Sequence, residues 1–95
     1  MAEASDSLRL DKFLWFARIV KTRPLAQDLA EQGRLRLNGR VVVQAHAPVH
    51  IGDVLAFAQR GMVRVLRIDA LPARRGPPAA AQTLYCELTS EGGHA

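Results

Sequence analysis

A chain of 95 residues, 48% of them hydrophobic and 23% charged, supports one domain with one modest core and excludes a disordered chain. A single cysteine, Cys86, excludes an internal disulfide and a cysteine-rich zinc site. The net charge of +4 and the isoelectric point near 10.2 favour an anionic partner.

In chain order, residues 1–8 read as a disordered lead, 9–88 as a single domain and 89–95 as a flexible tail. The acidic start, Met1 to Ser7, lacks the charged and apolar stretches of a secretion signal. No apolar run reaches the roughly 18 residues of a membrane span, so a cytoplasmic protein is expected. Leu10, Phe13, Leu14, Ala17 and Val20 recur at helical spacing and predict a first helix over Leu10–Val20. Asp11, Trp15 and Arg18 fall on another face of that helix, with Asp11 and Arg18 placed to suit its dipole. Thr22 is a good N-cap for a second helix, Pro24 suits its first turn and Gly33 its end. Leu25, Ala26, Leu29 and Ala30 form its predicted buried stripe.

After Gly33 the period becomes two. Arg34–Leu37 and Arg40–Val43 flank Asn38-Gly39, the strongest short hairpin signal. Pro48 is read as a break and Gly52-Asp53 as a turn. Val54–Phe57 and Met62–Ile68 then read as strands around Gln59-Arg60-Gly61. A loop follows at Ala73–Pro78, and Thr83–Leu88 forms a last short strand. The pattern predicts an α+β fold, two or three helices on a small antiparallel sheet.

Charge is concentrated early. Arg9, Lys12, Arg18, Lys21, Arg23, Arg34, Arg36 and Arg40 face only Asp11, Asp28 and Glu31, a net +5, so the remainder carries −1. Only Lys12 and Lys21 of the 13 basic residues are lysines. Arginine offers a planar fork of donors suited to phosphates and bases. Lys21-Thr22-Arg23 puts two cations beside the free backbone N–H groups at a helix start, an anion site in its own right or an ordinary capped helix. On the hairpin, Arg34 and Arg36 point to one sheet face and Arg40, opposite Leu37, to the other. That suits a ridge around the hairpin edge, or an edge strand guarded by charge. Trp15 is either a stacking platform or packed against the sheet or the C-terminal segment.

Enzyme motifs are absent. His46 and His50 share a four-residue spacing, but Pro48 interrupts it and no HExxH pattern follows, so no metal or cofactor is expected. No nucleophile elbow, Walker loop or GxGxxG occurs.

The ordered series Arg9-Leu10-Asp11-Lys12, Leu14, Arg18, Lys21-Thr22-Arg23, Ala26, Gly33, Leu35, Leu37, Asn38-Gly39 and Arg40 resembles the RNA-binding domain named after ribosomal small-subunit protein S-four. Val49 and Gly52-Asp53-Val54 resemble that domain's entry into its sheet. Lys12–Arg18 with Lys21–Arg23, and Arg74-Arg75-Gly76-Pro77 with Ala81-Gln82 and Leu84-Tyr85, look closest to the ribosome-associated heat shock protein 15 family. The resemblance runs from about Arg9 to Leu88. It implies an αL-type fold, with N-terminal helices on a sheet of about four to five strands and a basic groove for structured RNA. It implies RNA contact by Arg9, Lys12, Lys21, Thr22, Arg23, Gln27, Arg34, Asn38 and Arg40, with Arg18 a weaker addition. It also implies the large ribosomal subunit as partner, stalled with a nascent chain on tRNA. A monomer without a catalytic role is expected. The family's long basic C-terminal extension has no counterpart before Ala95, which points to weaker RNA binding or another target. A protein–protein adaptor and a duplex-DNA-binding module are the rival uses of the same cations.

Overall fold

The structure, a computed structural model, describes residues 7–91. Its elements run β1 (Ser7–Arg9), α1 (Leu10–Phe16), α2 (Arg23–Glu31), β2 (Leu35–Leu37), β3 (Arg40–Val42), β4 (Pro48–His50), β5 (Val54–Gln59), β6 (Met62–Ile68), α3 (Pro78–Ala81) and β7 (Tyr85–Glu91). Five strands form an antiparallel sheet in the order β3-β2-β5-β6-β7, and β1 pairs with β4 in a separate ladder. The architecture is the expected α+β one. Its third helix is a single turn near the C-terminal end, not part of the N-terminal group.

Alternation along the strands separates two faces. Leu35, Leu55, Phe57, Leu66 and Ile68 are buried and share the core with Leu10, Phe13, Leu14, Ala26 and Ala30 of the helices. Arg36 lies opposite Ala56 and Val41, on the face that the helices leave open. Asn38-Gly39 turns the first hairpin with φ of 53° and 86°, and Arg60-Gly61 turns the second with 55° and 79°. Positive φ at both central residues matches the right-handed strand twist, hence Asn and Gly in the first turn.

Asn38 also ties its hairpin to the next strand. Its Nδ2 donates to Asp53 Oδ1 at 3.0 Å, and its Oδ1 accepts from the Val54 amide at 2.9 Å. A second tie holds the α1–α2 connection on the sheet. Gln59 Nε2 donates to the Ile19 carbonyl (2.8 Å), and Gln59 Oε1 accepts from Arg64 (2.9 Å). Arg64 pairs with Glu87 at 2.8 Å and covers the Phe57 and Tyr85 rings. The bond to Glu87 raises the Arg64 pKa against the opposing effect of burial.

Three expectations need correction. The first helix ends at Phe16, not Val20, because the backbone turns left-handed at Arg18 (φ 59°). There the Arg18 amide donates to Trp15 O (3.0 Å) and the Ile19 amide to Leu14 O (3.0 Å), the paired bonds of a Schellman closure. Glycine usually fills that position; here Arg18 does, and two bonds from its guanidinium to the Gly76 carbonyl (3.0 and 2.9 Å) offset the conformational cost.

Pro48 does not break the chain but opens β4, where Ser7 pairs with His50 and Leu8 with Val49. An edge strand tolerates proline because its N–H is not needed. The described strands begin at Ser7 in β1 and end at Glu91 in β7. The rest of the expected lead and tail, 1–6 and 92–95, lies outside the described residues. Leu25, expected in the stripe of α2, is 49% exposed, and Ala26 and Ala30 carry that helix's burial.

Candidate nucleic-acid interface

The ends of three elements meet at Asp11. Because β1 pairs with β4, the chain enters α1 against the segment after β3: the Leu10 amide bonds Ala47 O (2.9 Å) and the Asp11 amide bonds Ala45 O (3.0 Å). The Asp11 side chain is completely buried. The helical pattern places it on an outer face, but Arg9, Arg23 and Gln27 arrive from β1 and α2 to cover it.

Arg9 grips both carboxylate oxygens, through Nε at 3.0 Å and Nη2 at 2.9 Å. The Lys12 amide donates to Oδ1 at 2.8 Å and Gln27 Nε2 to Oδ2 at 3.5 Å. Arg23 Nη2 stands 3.6 Å from Oδ2. Burial alone raises the Asp11 pKa, but the bonds and charge of Arg9 and the Lys12 and Gln27 amides outweigh it, leaving the pKa below the usual carboxylate value. The site keeps two guanidinium groups, those of Arg9 and Arg23, around one carboxylate, with the Lys12 backbone amide as a further donor. Arg9 is 46% and Arg23 35% exposed, so both remain open to an outside anion while being aimed from inside.

Thr22 caps α2 as expected: its Oγ1 accepts from the Leu25 amide (3.2 Å), and Pro24 occupies the first turn. The positive end of α2 thus lies beside Arg23. Arg23 is also fixed from another side, with its guanidinium carbon 5.9 Å from the Trp15 ring centre. Its Nε is buried and meets no acceptor among the described residues. Such a group costs about 1–3 kcal/mol.

The other predicted residues are spread more widely. Lys21 is exposed and borders a cleft of about 560 Å³ formed with Arg18, Leu25, Leu29 and the β5–β6 turn. Arg34 is exposed and shares the open sheet face with Arg36, beside Ala56 and Ala58. Arg40 is exposed opposite Leu37, on the other face of the hairpin. The structure therefore unites the side chains of Arg9, Arg23 and Gln27 on Asp11, brings Lys12 there through its backbone amide, places Lys21 and Thr22 at the adjoining helix start, and puts Arg34 and Arg40 on opposite faces of the hairpin strands. The Asn38 amide is used inside the fold as the hairpin tie. Sequence reasoning missed the organising role of Asp11, and the only hint was an acid inside the basic run Arg9–Lys12.

Trp15 is half-buried and packs against the core, with Arg75 of the segment before α3 over its ring at 5.3 Å. Of its two sequence readings, the structure takes packing against the C-terminal segment. His46 and His50 are exposed, and His50 Nδ1 lies 3.4 Å from Asp53. Among the described residues no group of three His, Cys, Asp or Glu could hold a metal ion, and no helix is long and apolar enough to cross a membrane.

An α+β domain that gathers arginine side chains at paired helix ends carries a surface suited to anions. Residues 8–55, which hold β1 to the start of β5, match the S4 domain family, and the chain belongs to that family. It is 34% identical to the heat shock protein 15 homolog of Haemophilus influenzae over 87 residues, covering 92% of this chain and 66% of that protein. It is equally identical, 34% over 87 residues, to the RQC P-site tRNA stabilizing factor of Listeria innocua, with 92% of each chain covered. The trimeric structure of Vibrio cholerae heat shock protein 15 superposes with a TM-score of 0.79 at 34% identity, covering 86% of this chain and 82% of that one. The chain thus spans just under two thirds of the Haemophilus protein's length.

Proposed function

We propose that the chain binds structured RNA through the Asp11-centred helix ends and the β2–β3 hairpin, with large-subunit rRNA, or tRNA held on that subunit, as the target. The observation that carries this reading is the shared carboxylate. Arg9, Arg23 and Gln27 are fixed on Asp11 before any ligand arrives, so little side-chain freedom is lost when phosphates bind. Guanidinium forks, aided by the positive end of α2, hold phosphates and set the register. Gln27 Oε1 and the hairpin arginines then meet riboses or base edges of a bent strand. Similarity to a P-site tRNA stabilizing factor and to heat shock protein 15 supports the ribosomal context.

The test is anisotropy titration of large-subunit rRNA hairpins, tRNA, duplex DNA of equal length and heparin. With about five phosphates neutralised, log affinity for RNA falls against log salt with a slope of about −3.5 to −4.5. Equal affinity for heparin favours the adaptor reading, and preference for duplex DNA favours the DNA reading. Either result overturns this one, as does an Arg23→Glu protein that folds normally and binds rRNA unchanged. Sedimentation in the same buffer tests the expected monomer.

A further inference from the structure

The segment Ala73–Pro78 lies beyond the S4 match, yet two arginine contacts fasten it to the end of α1. Arg75 Nε donates to the Trp15 carbonyl at 3.0 Å while its guanidinium carbon sits 5.3 Å from the Trp15 ring centre. Arg18 closes the same junction from the helix side by donating twice to Gly76 O. The Trp15 ring that carries Arg75 also carries Arg23, at 5.9 Å. One indole therefore sets the positions of two guanidinium groups from segments more than fifty residues apart in sequence.

Neither guanidinium is used up by this arrangement. Arg75 spends its Nε on the Trp15 carbonyl, and its two terminal nitrogens have no hydrogen-bond partner among the described residues. Arg23 keeps an exposed outer edge, and its position requires a buried Nε without an acceptor. A cation–π contact holds an arginine while leaving its in-plane donors free, the condition for gripping a phosphate oxygen edge-on.

We infer that Arg75 is an RNA-contacting residue, held like Arg23 on the Trp15 ring, so that the phosphate-binding surface continues from the S4 region onto the segment before α3. The inference rests on the RNA-binding reading above. Trp15 acts in it as a positioning residue.

The experiment is a double-mutant cycle in the full chain, Arg75→Gln alone, Arg23→Gln alone and both together, read as the salt slope of RNA binding with circular dichroism confirming the fold. A direct phosphate contact by Arg75 lowers the slope magnitude by about 0.7–0.9 in the wild-type background and again in the Arg23→Gln background. An unchanged slope on adding Arg75→Gln to Arg23→Gln overturns the inference, because Arg75 then acts only through Arg23 or through folding. If Arg75→Gln unfolds the domain, wild type and Arg75→Lys are compared by crosslinking of residues 73–78 to RNA. Label confined to the S4 region in both overturns the inference equally. A wild-type chain with no RNA affinity instead fails the underlying reading, which keeps the two failures distinct. Because Trp15 is the sole tryptophan, its emission gives a local readout: RNA binding shifts it in wild type, and Trp15→Phe retains the slope where Trp15→Leu does not.

Discussion

Replacing Asp11 with asparagine keeps the shape of the site and removes its charge. The carboxylate accepts two bonds from Arg9 and one from the Lys12 amide, and charge-assisted bonds are each worth about 1.5–3 kcal/mol. Arg9 and Arg23 are 46% and 35% exposed, so water takes over part of their loss. The net cost is then about 2–3 kcal/mol, well below the sum of the bonds. For a domain of this size, that lowers Tm by roughly 10–20 °C. The variant also carries a signature in pH. Because the folded-state pKa of Asp11 is depressed, its stabilising contribution is fully present above the ordinary carboxylate pKa of about 3.9 and is lost as pH falls below it. Thermal melts from pH 7 to pH 3 should show wild type and variant converging at the acid end. Simple charge counting adds one positive unit to an RNA-binding surface and forecasts tighter binding. Loss of the shared anchor forecasts weaker binding. An Asp11→Asn protein as stable as wild type and tighter on RNA would refute the anchoring argument.

Thr22→Ala should cost about 0.5–2 kcal/mol through the lost cap, with Thr22→Ser close to neutral, measured by urea unfolding. Asn38→Ala should cost about 2 kcal/mol, combining two lost bonds with a left-handed φ, and Asn38→Gly should recover the conformational part; unchanged stability in the alanine variant would return Asn38 to the list of free ligand contacts. Arg36→Gln and Arg40→Gln lie on opposite faces of the hairpin, so if RNA wraps its edge each should lower the salt slope by about 0.7–0.9, whereas an effect from only one confines RNA to that face.

What the sequence makes legible is local. Thr22-Arg23-Pro24 and Asn38-Gly39 announce a helix start and a type I′ turn because both signals sit within a few residues, and both features form as expected. The five-stranded sheet follows from period-two runs. The β1–β4 ladder escapes notice because it joins two three-residue strands from opposite ends of the S4 region, neither long enough to show a period. The end of α1 escapes because Arg18 takes the place of the customary glycine, and the reason lies at Gly76. The basic surface is legible as a count of cations, not as an arrangement. Which arginines converge depends on a buried aspartate and a tryptophan whose partners come from other elements.

The ladder between Ser7–Arg9 and Pro48–His50 also bears on how the chain assembles while being made. Once His50 has emerged, the helix pair, the first hairpin and this ladder have every residue they need, and β5, β6 and β7 are then added outward, each beside a strand already present. Early order of this kind limits the time that unpaired edges stay exposed. The amides of Leu10 and Asp11, bonded to Ala47 and Ala45, are natural reporters of it. Pulse-labelled hydrogen exchange on nascent chains of increasing length should find those two protected before any amide of β6, and the reverse order would mean that the sheet, not the ladder, leads.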